Sequence, residues 1–391
     1  MNTQIRKLFF ANFLGGLYFY LPIFTLFLLD KNISLATIMF AQFSYSILCF
    51  LFEVPTGVLA DRMGHQKSVA LGFFVDFIGL LLIVLFPSAV MLIAAQGLRG
   101  IGGSLLSGSK EALLYEYCKK ANRSYKKDFS HLFSYDVLGV AISTFLTGVI
   151  IQVYGQASYV PIFGFTIVSV IIAGILSATL TPVHTQIDTG RDQFHEIRKT
   201  WKLFLSTKML QVLFIVVGLT YQGRYILMDM YQPHMVTNHV IPFFLGAALS
   251  IGNVASYFFI RKAYLLEKPL GSKMAITLLT VLTGILYILF GWFTNPYLII
   301  ATFVALFGIL GAVVVYISDY ANSHTPSDIR ATVLSGINLS REIFKTGYKL
   351  LFAVALGFTS LANVFIGFGI FLFFGAWISY TLLSTVEAKK E

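Results

Sequence analysis

FEVPTGVLADRMGHQKSVALGFF, residues 52–74, sets a knot of charge between two apolar runs. Residues 35–52 contain no charged side chain, and residues 68–98 contain only Asp76. Asp61, Arg62, His65 and Lys67 stand together in the knot, with Pro55, Gly57 and Gly64 around them. Two bilayer-spanning helices of about twenty apolar residues each need such a polar turn where the chain meets water between them.

Composition extends this reading to the whole chain. Of 391 residues, 57% are hydrophobic and 12% charged, whereas a soluble domain carries about 25% charged residues. Mean hydropathy is +0.78. Too little polar surface remains to cover a soluble core. The first apolar run, 8–29, follows Arg6 and Lys7. It is longer than the apolar region of a signal peptide and lacks a small-x-small cleavage site, so it is read as the first span. Cys49 and Cys118 are the only cysteines, and neither a disulfide nor a metal framework is expected. The net charge of +10 falls in particular loops, which points to membrane orientation and not to a nucleic-acid partner.

The approximate spans are 8–29, 35–60, 68–86, 89–117, 131–153, 158–181, 209–232, 241–261, 273–292, 297–320, 331–357 and 361–385. An all-α integral membrane protein with twelve transmembrane helices is therefore expected. Arg62, Lys67, Lys119, Lys120, Arg123, Lys126 and Lys127 fall in alternate loops, as do Arg191, Arg198, Lys199, Lys202, Arg261, Lys262 and Arg330. The opposite loops hold Lys31 and almost no other cation. This asymmetry places both termini on the cytoplasmic side. The expected organisation is a six-helix bundle over 1–181, a cytoplasmic linker over 182–208 and a second bundle over 209–391. Residues 194–205 read either as an amphipathic helix on the inner membrane surface or as a solvated linker. Two such halves suggest a transporter built from parallel repeats.

At this point the opening stretch acquires a family resemblance. Gly57-Val-Leu59-Ala60-Asp61-Arg62-Met-Gly64 resembles the loop between helices 2 and 3 of the major facilitator superfamily, G-x-L-a-D-R-x-G-R-K. With SGSKEALLYE from Ser107, the run FEVPTGVLADRMG resembles a group of bacterial facilitators described as exporters. His65 and Gln66 depart from the motif's basic pair. The resemblance implies that Asp61 latches the two halves together, facing residues 330–332, in a contact of about 1–2 kcal/mol. Gly57, Asp61, Arg62 and Gly64 form the expected gate, the glycines permitting close approach and a tight reversal. The bland alternative is an ordinary positive-inside turn.

Arg99-Gly-Ile-Gly102-Gly103-Ser104 in the fourth span resembles the family's second signature, an intramembrane arginine linked to proton coupling. Its glycines suit close helix packing. Arg99 should face a polar cavity or a carboxylate, because a charge in hydrocarbon costs about 2.5–3.5 kcal/mol. The fifth span supplies small residues between Gly139 and Gly148 but lacks the Gly-Pro of the antiporter signature.

Other span charges divide into bland and candidate sites. Lys110, Glu111, Glu116 and Asp136 fit interfacial ion pairs; Asp229 reads as near an outer end, and Lys349 as snorkelling. Arg224, with Tyr221 and Tyr225, is a candidate substrate site for an anion; a structural ion pair explains it equally well. Arg341, Lys345 and Lys349 recur at i,i+4, with Glu342 able to pair with Lys345. Facing an aqueous path, Arg341 and Lys345 would favour anions. Glu53, Asp76, Arg99 and Glu342 are the candidates for proton coupling, and Glu53 fits a structural role equally. Pro55 frees a carbonyl and can bend helix 2. His234 and His239 read as solvated loop residues, and no catalytic motif appears.

The resulting expectation is a non-enzymatic secondary transporter of the bacterial inner membrane working by alternating access. Proton-coupled export of a drug, anionic metabolite or carboxylate-type siderophore stands first; anionic-nutrient uptake and lipid or glycolipid flipping are the alternatives. No cofactor is expected, the proton gradient being the energy source. The expected partners are a small-molecule substrate and membrane lipid, with the protein a monomer.

Overall fold

The computed structural model describes residues 2–182, 208–221, 223–262, 264–324 and 330–387. All twelve expected spans fall on helices. α1 (Asn2–Gly15) and α2 (Phe24–Asp30) make up the first, α3 (Leu35–Met63) the second and α4 (His65–Leu85) the third. α5 (Ala89–Leu106) and α6 (Ser109–Lys120) share the fourth, followed by α7 (Tyr125–Tyr154) and α8 (Tyr159–Ala178). α9 (Lys208–Tyr221) and α10 (Gly223–Thr237) cover the seventh. The remaining five are α11 (Phe243–Arg261), α12 (Tyr264–Trp292), α13 (Pro296–His324), α14 (Arg330–Ala355) and α15 (Leu361–Glu387).

Local chemistry sets many of the boundaries. Ser34 Oγ accepts the Thr37 N–H at 3.2 Å to open α3, and Asn295 Oδ1 accepts the Tyr297 and Leu298 N–H groups at 3.0 and 3.3 Å ahead of α13, as N-cap residues do. Gly64, at φ +94°, makes the reversal between α3 and α4, a conformation that a Cβ disfavours. Two spans read as continuous are broken. The first is interrupted at residues 16–23, where Pro22 enters a short 3-10 turn, and the fourth at Gly108, whose φ is +71°. α3, in contrast, runs through Pro55 as one helix; Thr56 Oγ donates to the Phe52 carbonyl at 2.7 Å.

Among the described residues, eight helical stretches are long and apolar enough to cross a membrane, and one of them, Tyr125–Ala178, contains both α7 and α8. Leu21–Asp30 and Pro296–Gly311 are shorter apolar helices. α14 fails that test because any eighteen-residue window in it contains Arg341, Glu342 and Lys345. Large apolar side chains point outward, among them Trp292, Tyr297 and Trp377. Such exposure is costly in water and natural in lipid.

The chain divides into two compact units, Met1–Ile187 with Ile241–Ser250, and Asp188–Val240 with Ile251–Glu391. The linker expected over 182–208 lies almost wholly outside the described residues. In the first unit α1 packs on α7 and α8, and α4 packs on α8. In the second, α9 packs on α14 and α15, and α12 packs on α15. These are the same pairings, first span with fifth and sixth and third with sixth. The two units are thus built alike, as parallel repeats require.

Small residues of α7 fit the broken first span. A Cβ at Gly139 would meet the Phe13 and Gly16 backbone, and Thr147 Oγ donates to the Phe19 carbonyl at 2.8 Å. Further along α7, Thr144 and Ser250 hydroxyls lie 2.9 Å apart within the same unit. At the other end of α7, Arg123 donates twice to the buried Asp128 carboxylate, at 2.6 Å each, and Cys118 Sγ donates to it at 3.4 Å. Cys49 and Cys118 are both free thiols.

Candidate functional site

In the first unit, the polar centre is built around Arg99 of α5, which is only 5% exposed. Its Nε donates to Asp76 Oδ1 of α4 at 2.8 Å. One terminal nitrogen donates to Gln96 Oε1 at 3.0 Å and the other to the Tyr20 hydroxyl at 2.7 Å. The guanidinium also lies 5.1 Å from the Tyr20 ring centroid. Thus the carboxylate expected opposite Arg99 is Asp76, and two residues assigned separately to proton coupling are one ion pair. A pair with this many hydrogen bonds offsets much of the cost of burying its charges.

The glycines around Arg99 let α5 sit between two neighbours. A Cβ at Gly100 would meet the Tyr45 carbonyl and, at 3.1 Å, the Cys49 amide nitrogen of α3. One at Gly102 would lie 3.0 Å from the Gly72 carbonyl of α4. At Gly79 of α4 the space a side chain would take is filled by the Arg99 stem. Small residues on one face thereby bring the buried pair into hydrogen-bonding range.

Other sequence-selected residues of this unit stand apart from the pair. Glu53 lies on an exposed face of α3. Asp61 Oδ1 is 3.8 Å from His65 Nε2, and Arg62 is exposed. Gly64 makes the tight reversal; at Gly57, no described atom outside its chain neighbours and its own helix backbone lies within 4 Å of a Cβ placed there. The side chains of residues 330–332, expected opposite Asp61, lie outside the described ones.

In the second unit, neighbouring residues of α10 serve different clusters. Arg224 donates to Asn253 Oδ1 at 3.1 Å and to Ser256 Oγ at 3.3 Å, both on α11. Its guanidinium stacks 4.1 Å from the Phe307 ring centroid of α13, a cation–π distance. Tyr225 turns the other way and receives the Lys345 ammonium at 5.1 Å, while Lys345 pairs with Glu342 on its own helix. The structure therefore brings Tyr225, Lys345 and Glu342 together, and Arg224 meets Asn253, Ser256 and Phe307. Arg341 donates to Asn338 Oδ1 at 3.4 Å. The Tyr221 side chain lies outside the described ones.

Three bland assignments are corrected. Lys349 does not snorkel: it pairs with Asp229 at 3.2 Å, each with a largely covered side chain. His234 is not a solvated loop residue. It lies within α10, 5% exposed, with Nε2 2.6 Å from the Phe290 carbonyl and the Phe290 and Phe365 rings against it; a buried imidazole so held is satisfied without metal. Lys110 forms no ion pair among the described residues; its ammonium donates to the buried Asn12 Oδ1 at 2.9 Å.

Sequence reasoning missed the neutral partners: Tyr20 and Gln96 for Arg99, and Asn253, Ser256 and Phe307 for Arg224. Gln96 was accessible from spacing, being three residues before Arg99 on the same helix. The others come from other parts of the chain and left no local signal. A further hidden contact supports the backbone beside Arg224. The buried Tyr287 hydroxyl donates to the Gly223 carbonyl at 2.5 Å. Tyr287→Phe is expected to cost about 1–2 kcal/mol, since it leaves that carbonyl unsatisfied; thermal unfolding of the purified variant checks this.

Two helical bundles with sparse, paired charges inside apolar helices define a membrane transporter fold. The chain belongs to the Major Facilitator Superfamily, whose family model matches residues 8–344. It is 28% identical over 170 residues to an uncharacterized transporter of Buchnera aphidicola subsp. Schizaphis graminum (strain Sg), covering 44% of this chain and 39% of that protein. It is 24% identical over 204 residues to the uncharacterized MFS-type transporter YxaM of Bacillus subtilis (strain 168), covering 50% and 49%. The chain spans less than half the length of these curated relatives.

Among solved structures, the nucleoside transporter NupG superposes with a TM-score of 0.77 at 15% identity over 99% of both chains. The POT family transporter PepTSo gives 0.74 at 12% identity over 99% of both. The D-xylose-proton symporter gives 0.72 at 14% identity over 96% of both. At these identities the likeness establishes the fold: an all-α, multi-pass membrane protein.

Proposed function

We propose that this chain is a secondary active transporter working by alternating access, exporting a small organic solute that carries a carboxylate or phosphate in exchange for protons. The observation that carries the anionic preference is Arg224. It lies near the start of α10, oriented by a neutral amide and a neutral hydroxyl and backed by an aromatic face. A guanidinium held by an amide, a hydroxyl and an aromatic face suits a planar, doubly accepting anion. Lys345 and Arg341 on α14 add positive charge, part of it balanced by Glu342. The lysine and arginine asymmetry of the loops supports a bacterial inner-membrane location with both termini cytoplasmic. The working unit is a monomer energised by the proton gradient.

Purified protein in liposomes tests the proposal. Under an imposed pH gradient, an exchanged anion should accumulate on the acidic side, whereas symport would drive it to the alkaline side. Arg224→Met should weaken binding of that anion about tenfold or more, the worth of a charge-assisted hydrogen bond. A thermal-shift screen of organic acids, siderophores, drugs and lipids finds the probe, because a ligand of the folded state raises its stability. If neutralising Arg224, Arg341 and Lys345 together left binding of every anionic probe intact, the anionic assignment would be wrong.

A further inference from the structure

Asp136 of α7 differs from the other span acids whose partners are described. Asp76 is held by Arg99, Asp229 by Lys349 and Glu342 by Lys345. No described residue donates a hydrogen bond to the Asp136 carboxylate, which is half-buried against the broken first span. A methyl placed at Gly16 would lie 3.1 Å from Asp136 Oδ1.

An amine stands close by and turns elsewhere. Lys110 donates to Asn12 Oδ1 at 2.9 Å and lies 5.7 Å from the Phe73 ring centroid. Asn12 and Gly16 are one helical turn apart along the first span, and so are Leu132 and Asp136 on α7. Asn12 donates to the Leu132 carbonyl at 2.9 Å, which fixes the register of the two helices. The ammonium at Asn12 and the carboxylate at Gly16 therefore sit about one turn, or 5.4 Å, apart along the axis. They act on each other through space without forming an ion pair.

An ionised carboxylate at this position should draw an ammonium from a neutral amide, because the charged acceptor bonds it more strongly. The arrangement seen, with Lys110 on Asn12, is the one a neutral Asp136 favours. We propose that Asp136 is a proton-binding carboxylate of the first unit, and that Lys110 moves between Asn12 and Asp136 as the proton arrives and leaves. The proton is taken from water onto the carboxylate, and Lys110 keeps its charge throughout. Each transfer makes or breaks the tie between α6 and α1, so protonation is read out as helix packing. This assignment rests on the proton-coupled activity proposed above and adds a carboxylate to it.

The charged and titratable groups facing Asp136 from its neighbours are few. α6 contributes Lys110, and the connection after α1 contributes Tyr18, whose hydroxyl stands in the field of both Asp136 and Asp76. α1 presents Asn12, and Gly16 follows its end; neither titrates. On α7 itself His131 and Tyr135 precede it, Tyr135 stacking on Phe9. Glu111, next to Lys110 on α6, acts on Tyr125.

Infrared difference spectroscopy of the full chain in liposomes, titrated with pH, reads the proton directly. A protonated-carboxyl carbonyl band should appear in the wild type, be lost in Asp136→Asn and return in Asp136→Glu. Lys110→Met should keep the band and move the pH at which it disappears. Persistence of the whole band in Asp136→Asn, or a midpoint in Lys110→Met identical to wild type, overturns the assignment. Gradient-driven solute accumulation is followed in the same vesicles. If the band titrates but accumulation ignores the pH gradient, the proton-coupled activity is overturned and the proton site stands.

Discussion

Asp76→Asn is expected to destabilise the first bundle by about 3–5 kcal/mol, the usual cost of removing one member of a buried ion pair. Arg99 has 5% exposure, so its guanidinium cannot recover the lost carboxylate contact by reaching water. The Gln96 and Tyr20 oxygens would remain as acceptors, but neither carries charge. The double variant Asp76→Asn with Arg99→Gln removes both charges and should recover more than half of the loss. Thermal or denaturant unfolding in detergent gives both values, and the cycle isolates their coupling. A single-variant loss below about 1 kcal/mol, as for an exposed pair, would contradict the buried geometry. So would strictly additive losses in the double variant.

Gly100→Leu is expected to prevent the first bundle from assembling. The added Cβ would run into the Tyr45 carbonyl and the Cys49 amide nitrogen of α3. Both obstacles are backbone, so no side-chain rotation relieves them, and α3 and α5 must separate. Overpacking a close contact ordinarily costs about 1–3 kcal/mol, and here the separation would also pull Arg99 from Asp76. Gly164 of α8 provides the control, since nothing described lies within 4 Å of a Cβ there. Gly164→Ala should be neutral or stabilising by up to about 1 kcal/mol. Size-exclusion profiles and melting temperatures of the two variants and the wild type decide the matter. A monodisperse Gly100→Leu protein melting with the wild type would show that α3 and α5 are not in close contact.

Much of this architecture was readable before any coordinates. Bilayer thickness demands apolar runs of a fixed length, and twelve such runs coincide with helices. The loop around Gly64 was legible because only glycine is comfortable at its φ of +94°. The glycines after Arg99 signalled close packing, and the structure shows which helix each one meets. The two breaks in the first and fourth spans also carry sequence signals. Pro22 and the Ser107-Gly108 dipeptide both interrupt apolar runs, and such residues punctuate helices.

The candidate site was less legible. Asp76 was visible as a lone charge, as was Arg99, yet nothing in the sequence said that the two meet. His234 lies beyond the span read as 209–232 and so read as loop, yet it lies inside α10 and packs against Phe290 and Phe365. Lys349 read as a snorkelling residue because its partner, Asp229, is 120 positions earlier.

Residue type and order alone thus establish a membrane chain of twelve spans, the side on which its cations gather, and the intramembrane charges that need partners. These follow from local rules, since hydropathy, helical period and turn chemistry act within about twenty residues. Partner choice belongs to the folded bundles: Arg99 with Asp76, Lys349 with Asp229, Arg224 with Asn253, Ser256 and Phe307, and Lys110 with Asn12 rather than Asp136. A buried charge takes whatever acceptor the neighbouring helices deliver within about 3 Å. Helix register decides that delivery, and register is set by packing across the whole bundle.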